Sequence, residues 1–343
     1  MHLPHPSGLT RGQHPLALLV LLAMLIWAPP SQASEPATTD TMRLAYADTW
    51  WTGPLLAASP SALPRGRMLI EPYIYDVIVQ GSYDEQGQRH GGAHTDNVRN
   101  LSYVLYGLTN QMTVGLLPRF GYDAGGDGVH STGLQVGDLT VHAHYQLYRF
   151  REHRWPPALA CVIEETLPTG HYDRLGTHPG DGLGAGVYAT TYSLYTQRYF
   201  WAPNGRIVRT RLDFSYSHSN STTLRDVSVY GTQAGFRGQA APGDSIVIDS
   251  AWEYSMTQNW VLALDLEYAR SASTHVQGLN DATSATPTAF SVASGTGTTW
   301  SLAPAVEYNF NGSVGLILGA KVGVAGRNAS ALVIPVVAIN WVR

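Results

Sequence analysis

Residues 207–218 read Ile-Val-Arg-Thr-Arg-Leu-Asp-Phe-Ser-Tyr-Ser-His. Val208, Thr210, Leu212, Phe214 and Tyr216 fall on one face of an extended chain, and Arg209, Arg211, Asp213, Ser215 and Ser217 fall on the other. Successive strand side chains point to opposite faces, so this stretch is a strand with one apolar and one ionic side. Its length exceeds the usual five or six residues and is what a tilted strand needs to cross a bilayer. The same pattern recurs in 137–148, 245–256, 260–270 and 299–310, and less cleanly in 68–79, 97–108, 112–122, 158–167, 187–200, 314–325 and 331–342. That makes twelve runs, and an even number is what a closed single-chain outer-membrane barrel requires.

The connections point the same way. Short ones at 109–111, 151–157, 201–206, 257–259 and 311–313 alternate with long ones at 80–96, 123–136, 168–186, 219–244 and 271–298, apart from a tight last link at 326–330. Outer-membrane barrels have short periplasmic turns and long external loops. The expected fold is therefore an all-β, antiparallel, up-and-down transmembrane barrel spanning 68–343 in the bacterial outer membrane, with both termini periplasmic.

Alternation alone does not separate such a barrel from a secreted β-sandwich or β-helix. Three features favour lipid: the strand length, aromatics at strand ends (Tyr216, Trp252, Tyr254, Trp260, Tyr268, Trp300, Tyr308, Phe310, Trp341), and unlike charges on the polar faces.

Composition removes other classes. Charged residues make up 13% of the 343, about half the roughly 25% of a soluble chain. Of 21 basic residues only Lys321 is not Arg. Outside the first 30 positions no apolar run approaches the roughly 20 residues of a spanning helix. A net charge of −4 gives no electrostatic case for nucleic acid. The single Cys161 excludes a disulfide scaffold and any multi-Cys metal site.

Residues 16–27, LALLVLLAMLIW, follow Arg11 and precede Pro29, Pro30 and Ser31-Gln32-Ala33, the pattern of a secretory signal peptide over 1–33. Residues 34–67 are a Pro- and Ala-rich segment without strand or helix period, expected to be a periplasmic lead-in or plug.

The polar faces define a lumen. Basic residues fall on the early strands and strand seven (Arg99, Arg119, Arg209, Arg211), and acidic ones concentrate on strands eight to ten (Asp249, Glu253, Asp265, Glu267, Glu307), with Asp138, Asp213 and Lys321 beside them. These groups either brace a narrow barrel or set up a transverse field that orients a small solute. His142 and His144 share a face near Asp138, which reads as polar lumen wall; no metal and no cofactor are expected.

Trp50-Trp51-Thr52-Gly53-Pro54-Leu55, Glu71-Pro72-Tyr73, Leu167-Pro168-Thr169-Gly170, Pro304-Ala305-Val306-Glu307-Tyr308-Asn309 and Gly326-Arg327-Asn328-Ala329-Ser330 stand in a characteristic order. Over about residues 48–343 the chain resembles the outer-membrane barrel family named for the meta-pathway of phenol degradation. The resemblance implies a transporter-like barrel for aromatic or other hydrophobic compounds and carries no catalytic residues. The chain departs from the usual barrel ending, which insertion machinery reads as a terminal aromatic: it closes Asn340-Trp341-Val342-Arg343, with Trp341 two positions early.

Other motifs are weaker. His218, beside Ser217, Ser219 and Ser221, is loosely like the His and Ser of membrane-embedded lipid hydrolases, but the spacing does not match. Asp123 and Asp127 lack the spacing of a calcium loop. The Gly-rich 171–186 has no P-loop lysine. Residues 281–299 are low-complexity, expected to be disordered or lid-like. The favoured reading is an outer-membrane channel or transporter, with lipid, insertion machinery and a small solute as partners. The competing readings are a lipid hydrolase acting through His218 and an adhesive barrel binding through its loops.

Overall fold

The structure, a computed structural model, describes residues 45, 48–125, 130–152 and 154–343. The expected signal peptide 1–33, the start of the lead-in and Asp127 lie outside the described residues. None of the described helices is long and apolar enough to cross a membrane.

Twelve antiparallel strands close into a barrel. They are β1 (Met68–Asp76, resuming as Ile78–Tyr83), β2 (Arg89–Gly107), β3 (Met112–Leu117, resuming as Arg119–Ala124), β4 (Leu139–Tyr148), β5 (Ala158–Leu167), β6 (Ala189–Trp201), β7 (Ile207–Ser219), β8 (Ser245–Ser255), β9 (Trp260–Ser271), β10 (Gly297–Asn311), β11 (Val314–Arg327) and β12 (Ala329–Val342). Each pairs with its chain neighbours, and β1 closes the ring by pairing β12 on one side (Tyr73 opposite Ala338) and β2 on the other (Tyr73 opposite Leu101). All twelve alternating runs are strands. The seam between β1 and β12, apolar on both faces in sequence, takes the register that turns Tyr73, Tyr75, Val336 and Ala338 inward, where they pack against the side chain of Leu55.

The outward face is apolar and bare: Leu262, Leu264, Ile163, Val141 and Leu318 are exposed, whereas Val261, Ala263, Val162, Ala303 and Ile317 between them are buried inside. Such a surface is stable only against hydrocarbon. Two aromatic layers bound it on β9 and β10. Trp260 and Tyr308 stack at 4.7 Å between centroids, with Phe310 beside them, at the end carrying short turns; Tyr268 and Trp300 stack at 4.8 Å towards the end carrying long loops. The eight steps from Trp260 to Tyr268 span about 26 Å along the strand, or about 20 Å along the barrel axis at the usual strand tilt, most of the apolar band of an outer-membrane barrel.

The long connections are more ordered than their composition suggests. The stretch 80–96 is largely hairpin, Ile78–Tyr83 pairing with the start of β2 around a turn at 84–88. Thr222–Arg225, Arg237–Ala241, His275–Asn280 and Thr288–Ala293 form a separate four-stranded sheet at the loop end, around a small core of Leu224, Phe236, Ala240 and Val276. The stretch 281–299 is therefore not disordered as expected: Thr288–Ala293 pairs with His275–Asn280, because Val276 and Phe290 supply a local apolar cluster that the Ser- and Thr-rich composition hides.

Candidate functional site

Inward-facing residues define the lumen, and the segment preceding β1 crosses it. Pro54, Pro60 and Pro64 keep residues 50–65 out of regular structure, so their N–H groups need partners elsewhere. The wall supplies them. Trp50 N–H donates to the Gln258 carbonyl at 3.0 Å, and Thr52 and Gly53 N–H both donate to Glu307 Oε2, at 2.7 and 3.0 Å. Leu55 N–H meets Asp265 Oδ2 at 3.1 Å, and Leu56 and Ala57 N–H meet its Oδ1 at 3.3 and 3.0 Å. Ala58 N–H donates to Asp213 Oδ2 at 2.7 Å, and Arg211 Nη1 donates to the Ala57 carbonyl at 2.6 Å. Beyond Pro60, whose carbonyl accepts from His144 Nε2 at 3.1 Å, Ala62 N–H reaches Gln146 and Leu63 N–H reaches Thr113. The segment leaves at the β2–β3 turn, where Arg65 N–H meets Asn110 Oδ1 and Gly66 N–H the Gly107 carbonyl. It thus spans the lumen near the short-turn end, from the β8–β9 and β10–β11 turns to β2–β3.

Packing fixes the same path. Leu55 is buried among Ala263, Ala303, Ala305, Ile317, Val336 and Ala338. On β11, Gly315 and Gly319 face the segment directly: a Cβ at Gly315 would collide with the Thr52 hydroxyl, and one at Gly319 with the Leu55 side chain. Trp51 lies under Arg209, whose guanidinium carbon is 4.4 Å from the ring centroid, and edge-on to Tyr199.

The candidate lumen residues therefore take several places. Glu307, Asp265, Asp213, Arg211 and His144 hold the crossing segment. Arg209 forms a two-point pair with Glu253, one of its contacts at 2.6 Å, and Arg211 Nε stands 3.6 Å from the same carboxylate. This is the ladder between β7 and β8 that the charge distribution suggested. Arg99 pairs with Asp123, Lys321 with Glu267 at 2.5 Å, and His142 Nδ1 with Glu164 Oε1 at 2.8 Å. Asp249, opposite Asp213 on one side and Glu267 on the other, is 4% exposed, and its Oδ1 has no hydrogen-bond partner among the described residues. Arg119 is exposed and enters no ion pair among them. Among the described residues no group of three His, Cys, Asp or Glu could hold a metal ion.

Asp138 does not face an open lumen. Its carboxylate accepts from Gly170 N–H at 2.9 Å and Ala185 N–H at 2.6 Å, pinning the 168–188 loop inward at the loop end. That loop is held further by Asp181, which accepts from Thr132 N–H at 2.7 Å, the Thr132 hydroxyl at 2.8 Å and Gln135 Nε2 at 2.9 Å. The Thr132 N–H holds the Asp181 carboxyl below its ordinary range, with the Thr132 hydroxyl assisting. Tyr230 reaches across from the 219–244 connection to the Ala185 carbonyl. The lumen is thus crossed at one end and overhung at the other.

Gln146 and Asn309 also make wall contacts, and their alternation with His144 and Glu307 marks them as inward; Thr113 and Glu164 do so as well, but on strands whose inward residues are mostly apolar, so the alternation carries no signal for them. His218 Nδ1 is 2.8 Å from Asp244 Oδ1, and Tyr216 donates to Asp244 Oδ2 at 2.5 Å. Among the described residues no serine hydroxyl is hydrogen-bonded to His218, and the neighbouring Ser217 hydroxyl faces the lumen, 2.6 Å from Thr191.

The family described as "Putative MetA-pathway of phenol degradation" matches residues 86–332. Among solved structures, the COG4313 outer membrane channel from Pseudomonas putida F1 is similar at 17% identity, covering 83% of this chain and 98% of its own, with a TM-score of 0.61. This places the fold among outer-membrane barrels. More distant likenesses include the beta domain of the Bordetella autotransporter BrkA, at 8% identity over 80% of this chain and 99% of that one (TM-score 0.41), and the Pseudomonas putida toluene transporter TodX, at 11% identity over 81% and 90% (TM-score 0.37). No curated protein matches the sequence.

Proposed function

The chain belongs to the phenol-degradation barrel family, and from that premise we propose that it is an outer-membrane channel for small aromatic or otherwise apolar compounds, closed at rest by its own residues 50–65. The barrel sits with its short turns and N-terminal segment in the periplasm and its long loops outside. The observation that carries this reading is the crossing segment itself, whose backbone is bonded to Glu307, Asp265, Asp213, Gln146 and Thr113 on five different strands.

The segment is held by side-chain acceptors of the wall and not by the sheet. Each N–H to carboxylate bond contributes about 1.5–3 kcal/mol where water is excluded, but the segment has no strand pairing with the wall. It can leave without unzipping the barrel. The inner surface presents Tyr195 beside His144 and Tyr103 beside Tyr73, an apolar yet hydrogen-bonding wall suited to a monoaromatic solute and to slow passage. Of the lumen charges that do not touch the segment, the exposed Arg119 is the one placed to orient a solute.

The test is uptake of phenol and toluene into proteoliposomes, with the parent compared against a variant lacking residues 48–62. The reading requires solute-dependent uptake that rises at least about tenfold on deletion. Equal leakage of sugars and aromatics from both proteins would reject it.

A further inference from the structure

The outward surface of β9, β10 and β11 carries an unneutralised pair of arginines at the loop end. Arg270 stands directly opposite Thr298, and Thr298 directly opposite Arg327, so the three share one row on the lipid-facing side. The parity is unambiguous, because Tyr268 and Trp300, on the same face two positions nearer the membrane centre, form the aromatic layer of that rim. Two residues of strand rise about 7 Å, which puts both guanidinium groups just beyond the aromatic belt, at the depth of lipid headgroups.

Both arginines are exposed, and among the described residues neither enters an ion pair. Two of the nearby carboxylates are already engaged, and the exposed Glu85 pairs with neither arginine among the described residues. Asp244, on the β8 side of Arg270, accepts from Tyr216 and pairs with His218. Asp84, in the turn whose Gly87 packs near Arg327, accepts from Gln86 and Gln88 N–H and pairs with His90. Arg270 and Arg327 are two strand spacings apart, about 10 Å between Cα atoms; the Arg327 side chain lies by Gly87, and a rotamer change brings its guanidinium over the Thr298 hydroxyl opposite Arg270. Two forked donors with a hydroxyl between them, rising from an aromatic lipid-facing floor, match a tetrahedral oxyanion on a membrane-bound molecule.

We infer that Arg270, Thr298 and Arg327 form a binding site for the phosphate of an outer-leaflet glycolipid. The choice of leaflet rests on the orientation proposed above; the phosphate chemistry does not. The acyl chains of such a lipid run down over Trp300, Tyr268, Leu266 and Leu302, all outward on the same strands.

The experiment uses the full-length purified barrel in detergent, incubated with lipid A, phosphatidylcholine or inorganic phosphate, with bound lipid counted by native mass spectrometry. The parent is expected to retain one lipid A through detergent washing. Arg270→Gln with Arg327→Gln is expected to lower occupancy at least tenfold, and Thr298→Glu, which sets a carboxylate between the arginines, to do the same. Arg154→Gln, at the short-turn end, leaves it unchanged. Migration on unboiled gels identifies folded variants, and the two single arginine variants serve if the double variant does not insert. Equal lipid A retention by parent and variants, equal retention of phosphatidylcholine, or displacement by millimolar inorganic phosphate overturns the inference. Retention is read without solute flux, so its failure is distinct from failure of the channel reading, and protease access to the loops on intact cells tests the orientation separately.

Discussion

The Asp265 carboxylate on β9 receives the backbone N–H of Leu55 at 3.1 Å, and those of Leu56 and Ala57 at 3.3 and 3.0 Å. One side chain therefore satisfies three consecutive donors of a segment that lies 208 to 210 positions earlier in the chain. Asp265→Ala removes both acceptor oxygens and with them all three bonds, leaving buried amides unpaired at about 1–3 kcal/mol each before water enters. The expected result is faster hydrogen exchange at residues 55–57 and a higher open probability in planar bilayers, with the barrel still heat-modifiable. Unchanged exchange would show that packing alone holds the segment.

Bulk on β11 attacks the same segment from the other side. Gly315→Val inserts a side chain where the Thr52 hydroxyl now lies, whereas bulk at Gly319 would meet the Pro304 carbonyl of β10 before it met Leu55. Overpacking costs about 1–3 kcal/mol, and at Gly315 the segment, lacking strand pairing, is the part that yields. Gly315→Val should admit small solutes at a rate approaching that of the deletion; a rate equal to the parent's would show that the segment accommodates the added bulk.

Arg209 and Glu253 are both buried, with side-chain exposures of 7% and 0%. Removing one partner strands a charge, at about 3–5 kcal/mol. Arg209→Met alone should lower the temperature at which the folded band disappears on gels, whereas Arg209→Met with Glu253→Met should recover most of the loss. A double variant no better than the single would mean that Arg211 already neutralises Glu253.

Acid should loosen the loop end. The Asp181 carboxyl is held below its ordinary value by Thr132 N–H, so the contact stabilises the folded loops fully above the unfolded carboxyl value of about 3.9. That contribution disappears as pH falls through the lowered folded value. Proteolysis between 168 and 188 should therefore accelerate below about pH 3.9 in the parent, and Asp181→Asn should show raised cleavage with little pH dependence. Cleavage rising equally in both proteins would assign the acid effect elsewhere.

The barrel was legible because it is written locally. Each strand carries its own alternation, as in Leu262, Leu264 and Leu266 against Asp265 and Glu267, and turn lengths order the strands without knowledge of contacts. The ionic residues were legible as inward for the same reason. What they bind was not. Glu307 meets Thr52 across 255 positions, and nothing in either neighbourhood encodes the other; the unpaired N–H groups of a proline-rich stretch were the only hint that it would need acceptors. The loop-end sheet was hidden because Phe236, Val276 and Phe290 are sparse in polar surroundings and pair only across connections.

The threaded segment also imposes a schedule on biogenesis. Residues 50–65 precede every strand, yet their acceptors are distributed over β3, β4, β7, β9 and β10. The early strands β3 and β4 offer acceptors only to residues 62 and 63, so the amides of residues 52–58 find theirs only once β7, β9 and β10 are in the wall. A chain stalled before β9 and β10 are incorporated lacks the Asp265 and Glu307 anchors, and its leading end stays unseated, a marker of unfinished assembly.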